Sequence, residues 1–139
     1  MTDAPDVYTP GADDVEGEAD RFTLYVSGPM TGIAHWNYPV FTDAAAELRA
    51  WGFNVISPHE LDQDAGKDPT SSWTAADRRE AIARDVEAVA KRADGIAVLD
   101  GWAASFGARA EVAVASALSL PVQTIPEWIA EARKDAPAS

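Results

Sequence analysis

Glu111 stands six residues after Ser105 in the stretch WAASFGARAEVA (102–113), among small and apolar neighbours. Ser105 and Gly107 fall where a strand should turn into a helix, exposing backbone N–H groups. The serine hydroxyl there can cap the helix or meet an anion. Ala108, Ala110 and Ala113 leave room for a ligand beside the Glu111 carboxylate. A solvent-facing glutamate helped by the helix dipole is an equally available reading. Asp85 poses a sharper question. At about 100° per residue it falls beside Val89, at the edge of an apolar stripe with Ile82 and Val86. A carboxylate turned towards a sheet is costly unless it is hydrogen-bonded, ion-paired or functional, and Arg84 and Arg78 are candidate partners.

Further upstream, SGPMTG (27–32) sets Gly28 and Gly32 around a turn where backbone can come close to a sugar or phosphate. It is neither a dinucleotide fingerprint nor a P-loop, and plain turn geometry also accounts for it. Tyr25 and Ser27 lie on one face of the preceding strand, with Leu24 and Val26 on the other. A structural, half-buried tyrosine is the common alternative. Two other constellations fail. DQDAG (62–66) begins like a calcium loop, but the glycine spacing is wrong and Trp73 occupies the closing acidic position. His35 and His59 have neither metal-ligand nor triad spacing, so no metal and no cofactor are expected.

The elements that must position these residues are legible in outline. RFTLYVSGPMTG (21–32) reads as a strand entering a Gly-Pro turn. Asn37 and Pro39 can open a helix carrying Phe41, Ala44, Ala45 and Leu48, with Gly52 as its stop. FNVISP (53–58) is a second strand, and 59–72 a polar loop. A helix runs from Ala75 to about Ala93, with Ile82, Val86, Val89 and Ala93 as its stripe. GIAVLD (95–100) is a third strand and PVQTIP (121–126) a fourth. The helix after Ser105 carries Val112, Ala115 and Leu118 on one face, and a closing helix spans 127–134 with Trp128. Strands alternating with helices predict an α/β fold, a single-domain flavodoxin-like or Rossmann-like open parallel sheet flanked by helices. In such sheets the ligand crevice lies beyond the carboxyl ends of the strands.

Bulk composition fits one domain. The chain has 139 residues, 47% of them apolar, five tryptophans and no cysteine, so neither disulfides nor thiolate chemistry is available. Net charge is −12, and Asp3, Asp6, Asp13, Asp14, Glu16, Glu18 and Asp20 supply seven of those charges, leaving −5 for the rest. Residues 1–20 therefore read as a disordered acidic tail, 21–134 as the domain and 135–139 as a flexible C-terminus. The acidic balance disfavours nucleic acid as a partner but not a small phosphorylated ligand held by backbone N–H groups. No apolar run approaches the roughly 20 residues of a membrane span, and no signal peptide is apparent, so a cytoplasmic protein without membrane contact is expected.

LYVSGPMTG, NYPVF, AAELRAWGFNVISPHE, RDVEAVAKRADGIAVLDGW and SFGARAEVAVA together resemble the nucleoside 2-deoxyribosyltransferase-like superfamily, over about residues 22 to 126. The likeness is greatest to its small, phage-associated branch, related to the deoxynucleoside 5′-monophosphate N-hydrolases. The resemblance implies that Glu111 is the nucleophile at C1′ of the sugar. It implies that Asp85 positions the base or manages its proton, and that Tyr25 orients nucleophile and sugar. By the same resemblance, Ser27, Gly28, Met30, Gly32, Asn37, Gly101, Trp102, Ser105 and Gly107 are expected to bind substrate. Serine at position 105, where the transferases carry aspartate, implies a 5′-monophosphate. Thr31 replaces an arginine of the mammalian-type hydrolases, leaving Arg109 or a partner subunit's base to meet the phosphate. The expected activity is an N-glycosidase on (deoxy)nucleoside 5′-monophosphates. The alternatives are base exchange by a 2-deoxyribosyltransferase and a non-catalytic nucleotide-binding module. The superfamily also implies a homodimer or larger homo-oligomer; Trp36, Trp51 and Trp73 are candidates for its surface and equally for core packing.

Overall fold

The computed structural model describes residues 21–135. The expected acidic tail (1–20) and most of the expected flexible C-terminus (136–139) lie outside the described residues. Four parallel strands form one sheet: β1 (Thr23–Ser27), β2 (Asn54–Ile56), β3 (Gly95–Val98) and β4 (Val122–Thr124), in the order β2-β1-β3-β4. Five helices flank it: α1 (Tyr38–Ala50), α2 (Pro58–Asp64), α3 (Ala75–Lys91), α4 (Phe106–Ala117) and α5 (Ile125–Asp135). This is the expected α/β open sheet, and strand order reverses between β1 and β3.

Alternation along β1 sends side chains into two separate cores. Leu24 and Val26 pack with Phe41, Ala44 and Leu48 of α1 and with Trp128 and Ile129 of α5. Tyr25 faces the other way, with Ala88 and Val89 of α3 and Ala115 of α4. Both faces are thus covered, as a parallel sheet requires. Pro39 sits in the first turn of α1. That helix closes through Gly52 at φ +99°, with Gly52 N–H donating to Arg49 O and Phe53 N–H to Leu48 O, a Schellman stop. A Thr74–Asp77 capping box opens α3. On the exposed edge of β2 the Arg49 guanidinium donates to Val55 O at 2.9 Å while pairing with Glu60, which blunts that edge against further strand pairing.

Three expectations require correction. The polar segment 59–72 is not loop throughout, since Pro58–Asp64 forms α2. Its inward side is polar: His59 and Asp62 are buried and satisfied by Ser57, Thr42, Tyr38 and Arg84. A helix with that face carries no apolar stripe to announce it. The fourth strand stops at Thr124, because Thr124 and Glu127 exchange side-chain-to-backbone hydrogen bonds and start α5 there. On α3 the stripe is rotated, leaving Ile82 53% exposed while Ala88 and Val89 are buried and Asp85 turns inward.

Candidate active site

Beyond the carboxyl ends of β1 and β3, a cleft of about 240 Å³ opens between α3 and the start of α4. This is where the reversal of strand order leaves a crevice. Glu111 lies at its inner wall. Ser105 is the N-cap of α4, accepting from Ala108 N–H at 3.2 Å, and Ala108, Glu111 and Ala115 are the residues that this helix buries. Glu111 is 7% exposed, and two hydroxyls from β1 hold its carboxylate. Ser27 Oγ donates to Oε1 at 2.6 Å and Tyr25 Oη to Oε2 at 3.0 Å. Both donors are fully buried, as their shared face of β1 dictates. Hydrogen bonds to a charged group contribute roughly 1.5–3 kcal/mol each, which offsets part of the cost of burying the carboxylate.

Burial pushes the Glu111 carboxyl up to about 7, against the pull of its two hydroxyl donors. Burial pushes Asp85 further, to about 8, with the neighbouring Glu111 and Asp62 adding to the rise. Arg84 and Tyr25 pull Asp85 the other way. Asp85 Oδ1 is buried and has no hydrogen-bond partner among the described residues. Two nearby acids with unequal hydrogen bonding therefore ionise in order, Glu111 before Asp85. Burial, with Glu111 beside it, lifts the Tyr25 phenol well above its ordinary range, so it remains a donor.

The structure brings together most of the expected site. Gly28, Met30, Asp85, Ser105, Gly107 and Glu111 line the cleft, with Tyr25 and Ser27 directly behind Glu111. At Gly28 a Cβ would come within 2.7 Å of Leu99, so glycine lets the first loop lie against the end of β3. Four expected binding residues do not line the cleft, because they shape its loops instead. Gly32 is an exposed turn residue at φ +84°. Asn37 uses its amide to hold Pro29 O at 3.0 Å rather than to cap α1. Gly101, at φ +84°, turns the chain after β3. Trp102 packs against the α3–α4 core. Arg109 stacks over the Phe106 ring and does not line the cleft.

Several cleft residues were not anticipated in that role. Trp36 and Trp73, candidates for a subunit surface or for core packing, meet ring to ring at 4.6 Å along its wall. Trp51 lies elsewhere, under Arg133. Asp62 and Arg78 also line the cleft. Arg78 forms no ion pair with Asp85, and Arg84 turns to Asp62 at 3.5 Å. No local pattern marks Asp62 or Trp73, since Asp62 comes on the polar inward side of α2 and a loop carries Trp73. A larger groove of about 470 Å³ lies at the opposite ends of β1 and β2, lined by Arg21, Arg49 and Arg92, and contains none of these acids. Among the described residues no three His, Cys, Asp or Glu side chains are grouped to hold a metal ion. No described helix is long and apolar enough to cross a membrane.

No curated protein and no solved structure matches the chain. Residues 22–124, which contain the whole sheet and every acid of the cleft, match the family described as a domain of unknown function, DUF4406, and the protein belongs to that family.

Proposed function

We propose that this protein is an N-glycosidase that cleaves the base–sugar bond of (deoxy)nucleoside 5′-monophosphates through a glycosyl ester on Glu111. The observation that supports this reading most is the pair of unlike carboxyls in one cleft. Glu111 has two hydroxyl donors and ionises first, while Asp85 has an unpartnered oxygen and keeps its proton longer. In the proposed reaction a Glu111 oxygen attacks C1′ and the C1′–N bond breaks. The departing base takes its bonding electrons and the Asp85 proton. Water, deprotonated by Asp85, then opens the ester and regenerates both groups. Transition-state charge at C1′ is oxocarbenium-like, which a flanking carboxylate stabilises.

The 5′-phosphate assignment is supported by Ser105. Its oxygen accepts the cap hydrogen bond from Ala108, leaving the hydroxyl hydrogen free to donate into the cleft. An aspartate at that position would repel a phosphate. Arg78, on the opposite wall, has no partner among the described residues and supplies a cation where Thr31 does not.

Incubation with deoxy- and ribonucleoside 5′-monophosphates and the matching nucleosides, followed by chromatography for free base, tests the reading. Base release from nucleotides in preference to nucleosides is expected. No release from any substrate overturns it. A new nucleoside formed when a second free base is added would instead indicate transfer.

A further inference from the structure

Beside the candidate acid lies a second cluster that the proposed chemistry does not use. Asp62 is 3% exposed, accepts from Tyr38 Oη at 2.7 Å, and holds an Arg84 guanidinium nitrogen at 3.5 Å. Arg84 directly precedes Asp85 on α3, and each has one buried polar atom without a partner among the described residues, Arg84 Nε and Asp85 Oδ1. A guanidinium and a carboxyl on neighbouring residues thus each bury one polar atom without pairing with one another, although the Arg84 side chain stays 30% exposed. The guanidinium end has been taken by α2 instead.

We propose that Asp62 is a positioning residue for the candidate acid: by holding and neutralising Arg84 it leaves Asp85 as the uncharged, proton-donating carboxyl of the cleft. This rests on the reading of Asp85 as the acid. An uncompensated guanidinium next to a buried carboxyl favours its ionised form, and an ionised Asp85 has no proton for a leaving base. The other groups that act on Asp85 are accounted for. Glu111 of α4 and Asp62 itself favour its protonation, whereas Arg84 and the Tyr25 phenol of β1 oppose it. Arg78, two turns earlier on α3, lines the same cleft. Asp62 is itself lifted by burial, while Tyr38 and Arg84 act to keep it charged.

The test follows the Asp85 carboxyl by carbon-13 NMR titration of aspartate-labelled protein, with Asp85→Asn to identify the resonance. Asp62→Asn lowers the Asp85 midpoint by about one unit or more, a tenfold loss of proton affinity. Asp62→Asn combined with Arg84→Gln recovers at least half of that shift. Arg84→Gln alone, which keeps Asp62 and Tyr38 in place, moves the midpoint upward. It decides the matter if Asp62→Asn does not fold. An unchanged or raised midpoint in Asp62→Asn overturns the proposal, as does a double variant that behaves like Asp62→Asn. The titration needs no turnover. Absence of base release from the wild-type protein therefore overturns the glycosidase reading alone, and the NMR midpoints still decide the role of Asp62.

Discussion

The Ser27 hydroxyl donates to Glu111 Oε1 at 2.6 Å across 84 positions of sequence. With Tyr25 on the other oxygen, it fixes the carboxylate of a helix on the end of a strand and leaves little rotamer freedom. A carboxylate held in one orientation beside a second acid suits the proposed attack at C1′.

Glu111→Gln removes the proposed nucleophile while preserving shape. Base release should fall by at least about 10³-fold in kcat/KM, some 4 kcal/mol of transition-state stabilisation. Chromatography of released base, with circular dichroism to confirm the fold, measures it.

A narrow, bell-shaped pH dependence of kcat/KM is expected. Activity rises as Glu111 loses its proton near 7 and falls as Asp85 loses its proton near 8. The two apparent values belong to the coupled pair. Asp85→Asn should abolish the alkaline limb together with most of the rate, and initial rates from pH 5 to 10 provide the check.

Tyr25→Phe takes one of two donors from the Glu111 carboxylate, so the Glu111 proton is held more tightly and the acid limb moves to higher pH. The shift should be about half a unit to one unit, with a rate loss of about 10- to 100-fold at pH 7. A limb that stays in place would show that the phenol does not govern this carboxyl.

Asp85 also shapes stability. Its proton is bound more tightly in the fold, near 8, than in the unfolded chain, near 3.8. The associated stability is complete below about pH 4 and is lost as pH rises through 8. Asp85→Asn should therefore match wild type in acid and exceed it at pH 9, by on the order of 3 kcal/mol. Urea unfolding at the two pH values tests the sign.

Ser105→Asp should lower the ratio of nucleotide to nucleoside turnover at least about tenfold, because a charge replaces a neutral donor at the proposed phosphate position. Its capping ability is retained. Ser105→Ala instead costs about 1 kcal/mol of stability through the lost cap. Parallel kinetics and thermal melts separate the two roles.

By itself the sequence determined the alternation of strands and helices, and hence the parallel sheet. It also determined which face of β1 carries Tyr25 and Ser27, and that Ser105 begins the helix bearing Glu111. These are local properties, set by period, turn residues and caps. It blurred where their chemistry is polar or depends on distant contacts. The inward face of α2 is His59 and Asp62 rather than an apolar stripe. The α4 helix ends at Ala117 because Ser119 takes φ +60°, a choice that no nearby glycine announces. Only the tertiary structure decided what surrounds the acids. Asp62 arrives on α2 and draws Arg84 away from Asp85, Trp36 meets Trp73 from another loop, and Asn37 ties down the first glycine turn instead of capping. The first two depend on residues far apart in the chain meeting near the reversal between β1 and β3, and the third on a side chain reaching back eight residues, which no helical or strand period records.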